Sequence, residues 1–219
     1  MYFEYGEKEI AYLSAKDKTL GHAIEKIGHI DRPTDTDLFS SVIYTIIGQQ
    51  ISTAAHATVW RRINDALGEV TSEKINASGI DGLQKFGMTF RKAEYIKDFA
   101  HKVSSGEFDI ESLPDKSDYE VISELSRLKG IGTWTAEMIM TFCMQRPDIF
   151  SYGDLAIHRG LRMLYHHKNI DKKLFEKYRR RYSPYGTVAS LYIWAVAGGA
   201  IPEMRDYAPK ETARKRSGK

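Results

Sequence analysis

Only one cysteine, Cys143, stands among the 219 residues, so the chain can form no internal disulfide and cannot supply the four thiolates of an iron–sulfur cluster. That fits a reducing compartment, and between Phe142 and Met144 the thiol reads as a small buried hydrophobe. Long hydrophobic runs are missing too. No stretch of 18 apolar residues exists, which removes a membrane-spanning helix, and the opening Met1-Tyr-Phe-Glu-Tyr-Gly-Glu-Lys8 has no signal-peptide character. A soluble, intracellular protein is expected. The seven histidines are dispersed, and His166-His167 has no cysteine or carboxylate at ligand spacing, which argues against a zinc site. Charge of one sign is scarce: a net +3 is too mild to demonstrate a nucleic-acid partner by itself. Runs of apolar–polar alternation, the mark of strands, are absent.

What the chain has instead is helical periodicity along most of its length. Apolar residues recur at three- and four-residue spacing over Lys18–Ile27, Thr36–Gln50, Ser52–Leu67, Arg91–Val103, Tyr119–Leu128, Thr133–Met144, Asp154–Tyr165, Lys172–Arg181 and Val188–Val196. This predicts an all-α fold. With 42% apolar and 28% charged residues the composition is ordinary for a globular protein. The length suffices for one compact domain, or two closely joined lobes, around a sizeable core.

Two of these helices are joined by about four residues inside Leu128-Lys-Gly-Ile-Gly-Thr-Trp-Thr-Ala136. Gly130 and Gly132 permit positive φ and bring backbone N–H groups to the surface. Those groups stand at the start of the following helix, where unpaired donors and the helix dipole favour an anion such as a DNA phosphate. The Thr135 hydroxyl can add a donor. A glycine pair alone is also what a tight helical turn needs for close packing. Further along, Asp154 in Ser151-Tyr-Gly-Asp154 heads the helix to Tyr165. On its own it reads as an N-cap, worth about 0.5–2 kcal/mol.

The string Leu128 to Ala136, with Gly48-Gln-Gln-Ile-Ser52, Asp154-Leu-Ala-Ile157 and Ile193-Trp194, resembles the helix-hairpin-helix base-excision DNA glycosylases that carry a Gly/Pro-rich loop and a catalytic Asp. Within that superfamily it is most similar to the 3-methyladenine DNA glycosylase II (alkylbase) type, over roughly residues 35 to 200. The resemblance implies a two-lobed, all-α helix-hairpin-helix fold with the active site in the interlobe cleft. Residues 38–146 would form a central lobe with the helix-hairpin-helix at about 118–145, and residues 1–37 plus 147–205 a second lobe. The implied activity is that of a monofunctional DNA glycosylase. It would flip an alkylated purine of the 3-methyladenine or 7-methylguanine type out of duplex DNA and hydrolyse its N-glycosidic bond, in base excision repair.

Asp154 falls on the family's catalytic position. A carboxylate near C1′ stabilises the oxocarbenium-like charge of the transition state and can orient or deprotonate the attacking water. An N3- or N7-alkylated purine is already cationic, so it needs no general acid to leave. Bifunctional relatives place a Schiff-base lysine where Trp134 stands; an indole cannot do that chemistry, so no abasic-site lyase activity is expected. By the same resemblance Trp134 and Trp194 stack on the flipped base, which suits a cationic purine, and Phe39 and Tyr152 are further pocket residues. In a chain with 3 Trp, 13 Tyr and 9 Phe, most aromatics are nonetheless core. Gln50 takes the position of the side chain that fills the gap left by the base, with Gln49 beside it; polar residues at a helix end are the plainer reading of both. No cofactor is implied, except that related hairpins hold a sodium or potassium ion on backbone carbonyls, here those of Ser126, Leu128 and Ile131. The chain departs from the family in having Ser151 in place of a proline, Gly186 where an arginine is common, and a glutamine where some members have an apolar wedge.

The basic clusters are Arg91-Lys92, Arg179-Arg180-Arg181 and a tail over 206–219, in which Lys210 to Lys219 carry the charge. The tail reads as disordered and the arginine triplet as solvated surface. Gly87-Met-Thr-Phe-Arg-Lys-Ala-Glu-Tyr-Ile96 echoes Gly130-Ile-Gly-Thr-Trp-Thr-Ala-Glu-Met-Ile139. Either this is coincidence, or a second helical turn exists in which Arg91 and Lys92 touch phosphate. The expected partner is double-stranded DNA containing damaged bases, bound by a monomer with no membrane role, in cytoplasm or nucleoid (in the nucleus of a eukaryote). Two alternatives stay open: a glycosylase for deaminated or mismatched bases, and a non-catalytic protein that binds damaged DNA.

Overall fold

The computed structural model describes residues 1–209; Lys210–Lys219, assigned above to the basic tail, lie outside the described residues. The chain is helical, as its periodicity predicts. Its elements are α1 (Glu7–Lys16), α2 (Lys18–Ile27), α3 (Leu38–Gly48), α4 (Thr53–Leu67), α5 (Ser72–Lys85), α6 (Phe90–Ser104), a 3-10 turn (Leu113–Asp115), α7 (Asp118–Leu125), α8 (Thr133–Phe142), α9 (Leu155–Tyr165), α10 (Lys172–Tyr182) and α11 (Gly186–Ala197). Among the described residues the extended pairing is one bridge, Tyr2 to Pro33, and no helix is long and apolar enough to cross a membrane.

Side-chain caps set most of the helix starts. Asp17, Asp37, Ser52, Thr71, Thr89, Ser117, Asp154 and Asp171 each accept a bond from a first-turn N–H, satisfying one of the donors a helix leaves unpaired. Two helices, α1 and α5, have no counterpart in the periodicity. In α5 the reason is local: Gly79 (φ 63°, ψ 175°) kinks the helix, so its apolar stripe is cut in two.

The helices gather into two compact units. Residues Met1–Phe3 and Pro33–Arg146 form one, which contains α3 to α8. Its centre is α3, with Val42, Ile43, Ile46 and Ile47 fully buried; α4, α6 and α8 pack on it, and α5 pairs with α6. The unit begins at Pro33, ahead of the residue 38 read from the sequence, because the segment leading into α3 is fastened to it. Thr34 N–H donates to Met1 O (3.0 Å) and Asp35 N–H to Phe142 O (3.1 Å).

Residues Glu4–Arg32 and those from Pro147 form the second unit, with α1, α2 and α9 to α11. Here α11 is central and buried on nearly every side, so it shows little amphipathic periodicity. Its buried hydroxyls are satisfied: Thr187 Oγ1 accepts from Ile149 N–H (2.9 Å), and Ser190 Oγ donates to Ile149 O (3.1 Å). Residues 206–209 are a fastened continuation of this unit and not the start of a tail. Asp206 receives both Nε and Nη2 of Arg162 (2.7 and 2.6 Å), and the Tyr207 ring lies 4.5 Å from that of His166.

Candidate active site

In the second unit, Asp154 is only 7% exposed. It caps α9, with Oδ1 accepting from Ala156 N–H (2.8 Å) and Ile157 N–H (3.0 Å). A structural cap and a chemical role are compatible in this arrangement, since the two amides fix the rotamer and hold a negative group at the positive end of a helix. The preceding turn is closed by Asp154 N–H to Ser151 O (3.4 Å). Ser151 is 1% exposed, so the chain's serine in place of the family proline is a packed residue. Tyr152 keeps 43% of its surface exposed; its ring lies 5.1 Å from His158 and 5.0 Å from Phe175. His158 was not singled out from the sequence. It stands one helical turn past Asp154, and its Nε2 donates to Tyr152 O (2.8 Å), which fixes the loop from the helix side. The spacing of four residues was the available signal.

Trp194, half-buried, follows Ile193 on α11. Helix α9 crosses α11 at Gly160, where a Cβ would stand 2.3 Å from Ile193 O. The missing arginine at position 186 also has a local reason. Gly186 N–H donates to Asp148 Oδ1 (3.0 Å), and a Cβ there would meet the same oxygen at 2.8 Å. Asp148 thus acts at the start of α11 and leaves no room for a side chain. Of the arginine triplet, Arg181 is no free surface cation: it is paired with Asp17, whose side chain is 3% exposed.

In the first unit, the hairpin between α7 and α8 is pinned by buried Leu128 and Ile131 and closed by Ile131 N–H to Leu128 O (3.1 Å); Ser126 is the C-cap of α7. The two glycines differ in kind. Gly130 has φ +83°, and a Cβ on it would lie 2.4 Å from Tyr95 Cδ2. Gly132 is the N-cap of α8 with φ −99°, a conformation open to any residue, and a Cβ there would meet nothing within 4 Å. Among the described residues, no contact requires a glycine at 132. Trp134 is 43% exposed in the first turn of α8, whereas Thr135 is 5% exposed, so its hydroxyl does not face solvent as the phosphate reading assumed. Phe39 stacks on core Phe99 at 5.0 Å.

Gln49, Gln50, Arg91, Lys92 and Gly130 come together around one surface pocket of 360 Å³. Their roles are unequal. Gln50 is exposed with φ +56°, rare for a residue with a side chain. Gln49 turns inward to the hairpin, Nε2 donating to Gly130 O (2.8 Å). Lys92, expected on a phosphate, donates to Ile47 O (2.7 Å) and Gln49 O (2.6 Å), and burial pushes its pKa down. Arg91 is exposed, with Nε bonded to the Tyr95 hydroxyl. Lys129 pairs with Asp98 at 2.9 Å.

The repeat around these residues is structural. Gly87 (φ +105°) matches Gly130 (φ +83°). Buried Met88, Ala93 and Ile96 match buried Ile131, Ala136 and Ile139, and N-cap Thr89 matches N-cap Gly132. The sole thiol, Cys143, is buried, which pushes its pKa up to about 11 and leaves it inert.

The family model described as HhH-GPD superfamily base excision DNA repair protein matches residues 43–184. A crystal structure of a DNA-3-methyladenine glycosidase from Bacillus halodurans superposes with a TM-score of 0.82 at 34% identity, covering 94% of this chain and 97% of that one. A 3-methyladenine DNA glycosylase of Schizosaccharomyces pombe, solved in complex with abasic DNA, gives a TM-score of 0.77 at 26% identity, over 87% of this chain and 97% of that one. Some curated relatives are longer: the chain spans 57% of the Bacillus subtilis DNA-3-methyladenine glycosylase, over a match 24% identical that covers 73% of this chain, and 59% of a second Bacillus subtilis relative.

Proposed function

The chain belongs to the HhH-GPD superfamily of base excision DNA repair proteins, and from that premise we propose that it is a DNA glycosylase for alkylated purines, of the 3-methyladenine or 7-methylguanine type, in duplex DNA. The observation that carries the reading is Asp154, a nearly buried carboxylate locked on the first turn of α9 at the position where the family it resembles keeps its catalytic aspartate. The scissile bond joins C1′ to the purine nitrogen. As it lengthens, its electron pair goes to the already cationic base, which leaves neutral. Positive charge grows on the sugar, and Asp154 stabilises it electrostatically. A water oxygen then bonds to C1′, and its proton passes to Asp154 or to solvent. The products are free base and an abasic site.

Exposed Trp134, Tyr152 and half-buried Trp194 supply aromatic faces for an electron-poor purine. Phe39, stacked on Phe99 in the first unit, is a further aromatic candidate for the pocket. The turn through Gly130 and Gly132 leads into the first-turn amides of α8, which suit a phosphate; the bare approach at Gly132 is what such a ligand needs. Arg91 adds a cation beside them. Gln50, exposed on a left-handed backbone, fills the gap left by the base. The carbonyls of Ser126, Leu128 and Ile131 are hard oxygen donors of the kind that suit a sodium or potassium ion, and such an ion would rigidify the turn.

Release of free base from methylated duplex DNA tests the reading directly. The wild type is expected to release 3-methyladenine, and Asp154→Asn to lose at least a hundredfold in rate while keeping its affinity for DNA. Neither protein should cut the strand or be trapped on it by borohydride, since the residue at 134 is an indole. Base release by neither protein would remove the alkylpurine reading and leave another lesion, or binding without turnover.

A further inference from the structure

We propose that Gln49 and Lys92 form a tether between the hairpin of α7–α8 and the turn that presents Gln50, so that both act as positioning residues for base extrusion and neither is a DNA contact. The proposal rests on the glycosylase reading and concerns how the protein couples holding a phosphate to opening the stack.

The turn from Gln49 to Ser52 is fixed from several sides. From within the unit, Lys92 Nζ donates to Ile47 O and Gln49 O at 2.7 and 2.6 Å. These carbonyls end α3, where the helix dipole favours a cation. Laterally, the Gln49 amide reaches across 81 residues of sequence to Gly130 O at 2.8 Å. Behind the turn, Gly48 has no room for a side chain: a Cβ would lie 2.6 Å from His56 Cε1, and His56 is itself anchored by Nε2 to Tyr44 O at 2.8 Å. Ahead of it, Ser52 Oγ caps α4 by accepting from Ala55 N–H at 3.2 Å. Gln50 and Ile51 stay exposed between these anchors.

A left-handed conformation at a residue with a side chain persists only where its surroundings over-determine it. Lys92 is unsuited to the phosphate role that its place beside Arg91 suggests. Its ammonium is half-buried, its donors face carbonyls, and burial pushes its pKa down. Gly130 is the residue whose positive φ shapes the phosphate-holding turn. The bond from Gln49 to its carbonyl therefore joins the part that holds the backbone to the part that enters the stack.

The test uses the full-length protein and a duplex with one alkylated purine beside 2-aminopurine, whose fluorescence rises when the neighbouring stack opens. Gln49→Met and Lys92→Met are compared with wild type in fluorescence rise, in single-turnover base release and in the dependence of duplex affinity on salt. A lysine on a phosphate contributes about 0.9 to the slope of log affinity against log salt. If the tether holds, both variants keep the wild-type slope and lose at least fivefold in fluorescence rise and in single-turnover rate. A Lys92→Met slope reduced by about 0.9 would make Lys92 a phosphate contact and overturn the proposal. So would variants that match wild type in fluorescence. Should Lys92→Met fold poorly, Gln49→Met carries the same test from a surface position. A wild type that gives neither base release nor fluorescence change removes the glycosylase reading and the tether together; a wild type that gives both, beside variants indistinguishable from it, removes the tether alone.

Discussion

The two glycines of the hairpin separate what folding asks of a residue from what a ligand asks. Gly130 is held by geometry: a left-handed backbone, about 1–2 kcal/mol unfavourable for a residue with a Cβ, and a tyrosine ring where that Cβ would go. Gly130→Ala is expected to lower the unfolding free energy by at least about 2 kcal/mol, the sum of that strain and of overpacking, visible in a denaturant titration. Gly132 meets neither constraint. Gly132→Ala is expected to leave stability within about 0.5 kcal/mol while weakening duplex affinity about tenfold, if the proposed phosphate uses the space. Equal stability losses in the two variants would show that position 132 serves the fold.

At the scale of elements, much was legible and some was not, for physical reasons. The hairpin could be read because its glycines, Leu128, Ile131 and Ala136 are neighbours in sequence, and Asp154 because a helix start carries its signal locally. The partners of Lys92 and Gln49 lie dozens of residues away and leave no periodic trace, so a cation beside Arg91 reads as a phosphate contact until Ile47 O is seen within its reach. The kinked α5 escaped for a related reason: Gly79 breaks the stripe on which helix recognition depends. Gly186 looked like a loss from the family pattern, but Asp148 fills its place. A crossing such as that of α9 with α11 is equally silent in sequence, yet it seats the helix that Asp154 caps. Gly160→Ala inserts a methyl 2.3 Å from Ile193 O, so α9 must shift outward, at a cost of about 1–3 kcal/mol. Base release is expected to fall more than this stability loss explains, with wild-type duplex affinity retained. Unchanged turnover in a destabilised Gly160→Ala would show that the carboxylate tolerates the displacement.

At the scale of the whole molecule, acid sensitivity has an identifiable contributor. Arg162 donates two bonds to Asp206, and this holds the carboxyl below its ordinary range. Because the folded-state pKa lies below the unfolded one, the pair's stabilisation is complete above the unfolded value and is lost as pH falls through the folded value, below about 4. Asp206→Asn is expected to cost about 1–2 kcal/mol near neutral pH, in the range for a charged hydrogen-bonded pair, and little at low pH. Melting temperatures of the two proteins measured from neutral to acid pH should therefore converge. A constant gap between them would assign the loss to packing.

The chain passes from one unit to the other three times, after Phe3, after Arg32 and after Arg146. During synthesis on the ribosome, α2, with buried Leu20, Ala23 and Ile24, emerges well before α9 and α11, which pack on it. Until then the apolar surface of α2 has only α1 to rest on, so the nascent protein depends on the arrival of those helices, or on shielding, before that surface finds another chain.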